Sequence, residues 1–371
     1  MSSPLASWPR TRLTELLRLS HPIIQGPFGG GLSSVALASA VARCGGLGSF
    51  GVHHLEPDGI AAVGAELRSR AAGVFALNLW VSTHDLDEAS MTRSRFDAAV
   101  ARLQPLYDEF GVDAPEFPER FSPTFEEQAS AVLAARPPVF SFVFGVPDDR
   151  VLTDFRAAGI RTIGTATTPD EAVALDEAGV DAIVASGYEA GGHRGAFLAP
   201  VEDSLVGTLA LVRTAASEVR APVVAAGGIA DAQGVVAALA LGAEGVQLGS
   251  AFLATEESGT TPEHRAVLLD GGARRTTLTR AFTGRLARGV PNRLTASLEQ
   301  PEPYPYQSYL LRPVIAAARA QGRTDVVSLW AGQGTSLLRE RRAADVYDAV
   351  VSGTDTMLSA HTPTRPTCTP P

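Results

Sequence analysis

The chain has 371 residues, 45% hydrophobic and 19% charged, a balance that suits a compact globule with a large core and excludes a disordered chain. Its formal net charge is −9 with no Lys/Arg-dense block, so the usual electrostatic footprint of a nucleic-acid binder is missing. No stretch reaches the ~18 uninterrupted apolar residues of a membrane span. The N-terminal residues lack a secretory pattern, and the two cysteines, Cys44 and Cys368, have neither metal-like nor disulfide-like spacing, so the expected compartment is the cytoplasm.

Along the chain one unit recurs: a short apolar run, a Gly-containing loop and an Ala/Leu-rich helical stretch. The runs are 22–26, 46–50, 74–80, 139–145, 160–164, 182–186, 223–227 and 245–249. Short runs bounded by Gly or Pro read as buried parallel strands. Helix starts lie between them: Thr168 can cap a helix whose first turn holds Pro169, Asp170 and Glu171, and Asp231 can cap another. Eight strands alternating with helices predict an α/β chain folded as a (β/α)8 TIM barrel. An open doubly wound sheet is the alternative, but residues 26–31 lack the G-x-G-x-x-G spacing before a helix.

Two segments interrupt the rhythm. Residues 81–123 form a polar excursion with a helix expected over Arg93–Phe110. Residues 256–333 follow the eighth strand, carry many Arg and Pro residues, and read as a small lid lobe over the barrel mouth. The barrel then comprises 1–255 and 334–361, with a final helix over 334–352, and the Pro/Thr-rich tail at 362–371 is expected to be disordered.

In a barrel the loops after the strands build the active site. That rule selects Gln25, Gly26 and Pro27 after the first strand, Asn78 on the third, residues 186–195 after the sixth, Gly227 and Gly228 after the seventh, and Gly249 and Ser250 after the eighth. The seventh and eighth turns have two readings. Glycines there let exposed N–H groups approach a phosphate, with the Ser250 hydroxyl as a further donor; they also allow tight strand-to-helix packing.

The loop after the sixth strand holds four glycines, which can lay backbone flat against a planar ring. It also holds His193, an imidazole suited to neutral pH. His193 reads as the reacting group, with a loop histidine satisfying backbone carbonyls as the bland alternative. Glu189 lies four residues earlier, but no third ligand is evident and no metal is expected. His53 and His54 are adjacent, so their side chains diverge; surface solvation is the expectation, with one lining the site as the alternative. His21, His84, His264 and His361 read as ordinary loop or surface residues.

Four strings, A-G-G-H-R-G at 190–195, A-A-G-G-I at 225–229, G-V-Q-L-G at 245–249 and W-A-G-Q-G at 330–334, together resemble the nitronate monooxygenases, formerly 2-nitropropane dioxygenases. The likeness runs from about Ile23 to about Leu338. It implies a barrel that binds FMN and oxidises alkyl nitronates, possibly nitroalkanes, with O2, so that the partners are a small anionic substrate and O2. By resemblance, Gln25, Gly26 and Asn78 face the flavin, Gly191 and Gly192 approach it, and Gly227, Gly228, Gly249 and Ser250 hold its phosphate. Gln333 and Gly334 close the site, and His193 matches the family's active-site histidine, either a hydrogen-bond donor to the anion or a base that removes an α-proton from a neutral nitroalkane. Thr165 stands where some members have Lys, and Ser186 where some have Asp; both changes remove charge beside the cofactor. A related FMN- and NAD(P)H-dependent barrel, the enoyl-thioester reductase, is the alternative, with an Arg cluster at 274, 275, 280, 285 and 288 as its carrier-protein surface. A non-catalytic binding barrel is the third reading. Oligomeric state is not legible.

Overall fold

The computed structural model describes residues 4–82 and 91–360. The barrel strands are β1 (Ile23–Gln25), β2 (Gly48–Gly51), β3 (Phe75–Trp80), β4 (Val139–Val143), β5 (Arg161–Ala166) and β6 (Ala182–Ser186). A two-residue strand outside the barrel, β7 (Gly192–His193), precedes its last two strands, β8 (Val223–Ala226) and β9 (Gly245–Leu248). The eight pair in parallel in the order β1-β9-β8-β6-β5-β4-β3-β2. The seam between β1 and β2 is bridged at Ile24 and Leu47, where Leu47 N donates to Ile23 O (3.0 Å) and Gln25 N to Leu47 O (2.9 Å). This is a nearly closed (β/α)8 barrel, built on the eight apolar runs of the sequence.

The local chemistry explains the alternation. Thr168 Oγ1 accepts from Glu171 N (3.2 Å) and Pro169 opens helix Pro169–Glu177. Asp231 accepts from Gly234 N (2.9 Å) to start helix Ala232–Ala240. Along β8, Val223 and Ala225 join the core beneath the outer helices, while Val224 and Ala226 fill the barrel interior. Leu13 and Leu17, from helix Arg12–Leu17, join that interior cluster. Thr11 Oγ1 donates to Glu244 O (2.7 Å), just before β9 begins. The helix thus plugs the N-terminal end of the barrel and leaves the C-terminal end for the site.

The final helix is Ala343–Ala360 rather than 334–352, and it packs between helices Val35–Cys44 and Ala232–Ala240 as the barrel's eighth. Residues Gln333–Leu337 instead form a 3-10 turn. A Cβ at Gly334 would lie 2.7 Å from Gly228 O, so this stretch is held against the barrel mouth and cannot swing into the helix.

The excursion contains helix Arg93–Phe110, capped by Thr92 and ended by Gly111 at φ 64°. Residues 256–333 hold helix Pro262–Leu269, strands β10 (Thr277–Thr279) and β11 (Ala287–Gly289), and helices Arg293–Ser297 and Tyr306–Ala320. The two interruptions pack on each other. Tyr107 Oη donates to Leu310 O (3.0 Å), and Glu302 is paired with Arg95 (2.7 Å) and with Arg102. β11 pairs antiparallel with β10 on one side and with β7 on the other. Among the described residues no helix is long and apolar enough to cross a membrane. His84, His361, Cys368 and the tail at 362–371 lie outside the described residues.

Candidate active site

A cavity of about 600 Å³ opens at the C-terminal ends of the barrel strands, within the size range of small-molecule sites. Each of the eight barrel strands or its following loop lines it: Gly26 and Pro27, His53, Asn78 and Trp80, Phe144, Thr165, Ser186, Gly228, and Gly249 with Ser250. Gly191, Gly192, His193 and Gly227 also line it, and Thr283, Tyr304, Trp330 and Gly334 close it from the segment after β9. Phe144, on its wall, has φ 66°, a left-handed backbone that a bulky residue rarely adopts outside functional loops.

His193 is held by backbone and side chain together. β7 places it opposite Ala287 of β11, and its Nε2 lies 2.8 Å from Thr283 Oγ1. Trp80 and Trp330 meet the ring at centroid distances of 4.9 and 5.2 Å. Burial, reinforced by the nearby Arg285 guanidinium, lowers its pKa from 6.5 to about 3, so the imidazole is neutral at working pH. Arg285 is itself held over Phe144 (4.1 Å) and Tyr304 (4.4 Å) and donates to Ser82 Oγ (3.1 Å).

The neighbouring Arg194 is a structural residue that the sequence reading passed over. It is 2% exposed, and its guanidinium donates to Ser186 O (2.8 Å), Gly187 O (2.8 Å) and Ser204 O (2.5 Å), fixing the loop that carries His193. Burial lowers its pKa to about 10, still far above neutrality. Its place beside His193 in a Gly-rich string was the available signal. Glu189 caps helix Thr208–Glu218 from outside, accepting from Thr208 N (2.9 Å) and Thr208 Oγ1 (2.7 Å). Among the described residues no group of three His, Cys, Asp or Glu could hold a metal ion.

The glycines divide into two kinds. A Cβ at Gly191 would lie 2.5 Å from Gly332 N and 2.6 Å from Ala331 C, so Gly191 is required for backbone packing against W-A-G-Q-G. Gly334 meets Gly228 in the same way. Gly249 and Gly192 differ: a Cβ there meets no atom within 4 Å, and both line the cavity. They form a cradle that a side chain would fill. Ser250 Oγ accepts from Gly332 N (2.9 Å), which leaves its proton available to a ligand. Asn78 Nδ2 donates to Ser141 Oγ (3.0 Å), and its amide remains at the cavity wall.

Two expected site residues are not brought to the cavity. Gln25 is fully buried in the barrel, its amide bonded to Gly26 O and accepting from Ser49 N (2.8 Å). Gln333 is exposed and contributes its backbone N–H, which donates to Glu189 O (2.9 Å). His53 corrects the expectation of surface solvation: it lines the cavity, stacked on Trp80. His264 is also buried rather than superficial, with Nε2 3.1 Å from Trp330 O. His21 is partly buried against Tyr347 Oη at 3.1 Å. The Arg cluster is split. Arg285 and Arg288 are buried, and Arg288 donates to Tyr188 O (3.0 Å) and Thr276 Oγ1 (3.0 Å); Arg280 pairs with Glu202 (2.8 Å). It therefore forms no continuous basic face for an acidic carrier.

A barrel whose mouth joins a glycine cradle to a fixed neutral imidazole and a ring of aromatics has the layout of an enzyme acting on a small molecule at its C-terminal face. Residues 10–352 match the sequence model of the nitronate monooxygenase family. A nitronate monooxygenase of Pseudomonas aeruginosa is 40% identical over 348 residues, covering 92% of this chain and 98% of the relative. The solved nitroalkane oxidase of Streptomyces ansochromogenes superposes with a TM-score of 0.86 at 35% identity, over 94% of this chain and 99% of that one. FabK of Thermotoga maritima is more distant, with a TM-score of 0.70 and 25% identity over 95% and 98% of the two chains. The chain belongs to the nitronate monooxygenase family and is a flavin-dependent oxidoreductase. The distant FabK likeness does not favour the enoyl-thioester alternative.

Proposed function

We propose that this protein binds FMN and oxidises alkyl nitronates with O2, with His193 as the group that contacts the substrate. The observation that carries this is the neutral His193 imidazole, pinned to Thr283 beside an open glycine cradle. Gly227, Gly228, Gly249 and Ser250 would hold the phosphate, while Gly26, Asn78, Gly191 and Gly192 would face the ring. The segment Ala331–Gly334 lies across the Ser250 and Gly228 turns, which suits a terminal phosphate rather than one continuing to an adenosine. When bound, FMN supplies the electron-accepting ring for the redox chemistry.

The chain's own residues orient and stabilise the anion. Thr283 Oγ1 lies 2.8 Å from His193 Nε2 and 3.4 Å from Arg285 O. With the hydroxyl donating to Nε2, the imidazole proton sits on Nδ1, where it can donate to a nitronate oxygen. Burial lowers the ring's pKa to about 3, which makes it a weak base and supports donation as its role. Trp80, Phe144, Tyr304 and Trp330 exclude water around that hydrogen bond. Thr165 and Ser186 also line the wall, so no charge from those two positions competes for the anion. The cytoplasm is the proposed compartment, in keeping with the unpaired Cys44. Heat release of the pigment from purified protein, followed by mass analysis, tests the cofactor: FMN is expected, and FAD or no pigment would overturn the assignment.

A further inference from the structure

His53 is a cavity residue without a task in the chemistry above. Its ring lies flat on Trp80, 3.9 Å between centroids and 10° between planes. The backbone at Gly29 presses on it as well, since a Cβ there would lie 2.1 Å from His53 Cε1. Packing therefore fixes the ring. Hydrogen bonds do not: among the described residues neither ring nitrogen has a partner, and Nδ1 is sealed from solvent too. Sealed Nδ1 is beyond a ligand's reach, so Nε2 is the nitrogen that a ligand or water in the cavity can pair, and leaving it unpaired is costly.

Its position says which part of a ligand that is. Trp80 contacts both histidines, stacked on His53 and edge-on to His193. A substrate reacting at His193 meets His53 with its chain, not with its reacting carbon. Burial, then the neighbouring His54, His193 and Arg285, keeps the imidazole neutral, so Nε2 offers a donor or an acceptor according to the tautomer.

We propose that His53 is a specificity-determining residue whose imidazole hydrogen-bonds an oxygen-bearing substituent, a hydroxyl or carbonyl, on the carbon chain of the substrate. The proposal rests on the reading of His193 as the reacting end. Its test compares butyl nitronate with its 4-hydroxy counterpart in the flavin-loaded enzyme, in wild type and in His53→Phe, which keeps an aromatic stack and removes both nitrogens. The wild type is expected to favour the hydroxylated substrate in kcat/KM. That preference should fall about three- to tenfold in His53→Phe, the scale of one hydrogen bond, and return in part in His53→Gln. An unchanged ratio in His53→Phe would overturn the proposal.

Calorimetry with butanoate and 4-hydroxybutanoate, planar anions that cannot react, separates this from the proposed function. If the wild type turned over no nitronate, the functional reading would fail while the binding ratio still decided His53. A preference for the hydroxylated anion that His53→Phe abolishes supports the subsite; equal binding of the two anions by the wild type overturns it.

Discussion

Thr283 and His193 come from segments ninety residues apart in sequence, and the β7–β11 pairing brings them within 2.8 Å. Loss of a positioned catalytic group costs about 10²–10⁴-fold in rate, so His193→Asn is expected to keep flavin and fold and lose turnover on that order. A donor loses its effect on any anionic transition state, so steady-state assays should show comparable losses on a neutral nitroalkane and its preformed nitronate. A far larger loss on the nitroalkane would restore the base role. Thr283→Val keeps the side-chain shape and removes the hydroxyl that selects the tautomer. About five- to tenfold lower kcat/KM is expected, near the value of one hydrogen bond, and wild-type rates would show that Thr283 does not orient the ring.

Secondary-structure elements read well where local chemistry decided them and poorly where distant backbone decided them. The caps at Thr168 and Asp231 and the helix over Arg93–Phe110 follow from side chains a few residues apart. The final helix was misplaced because Gly334 is held by Gly228, a contact across more than a hundred residues that no local pattern carries. His53 was misread for a similar reason: its stacking partner Trp80 belongs to the next strand. The glycine strings were legible as a set, but not which glycine serves packing and which faces the cavity. That division gives a paired prediction. Gly191→Ala meets backbone at 2.5 Å and should lower the melting temperature. A Cβ at Gly249 meets no atom within 4 Å and φ there is −96°, so Gly249→Leu should fold yet purify with little flavin. Full flavin content in Gly249→Leu would remove that turn from the cofactor site.

At the scale of the molecule, the barrel has one end plugged by Leu13 and Leu17 and the other open as the cavity, so core packing and the candidate site occupy opposite faces. The mouth nevertheless carries a stability cost on acidification. His193 and His264 are buried neutral, with pKa values lowered from 6.5 to about 3 and about 4. Below pH 6.5 the unfolded chain binds protons that the folded chain refuses, so stability is full above 6.5 and declines as pH falls toward those folded values. Thermal melts should therefore show a falling midpoint from pH 7 to pH 5, with a shallower slope in His264→Leu. A flat profile would contradict the buried, neutral state of these rings.

The central claim is that this barrel takes electrons from a nitronate. It is tested most directly by mixing the purified flavin-containing protein anaerobically with an alkyl nitronate and, separately, with NADPH, while following flavin absorbance. The account predicts bleaching by the nitronate and none by NADPH; bleaching by NADPH with none by the nitronate would contradict it.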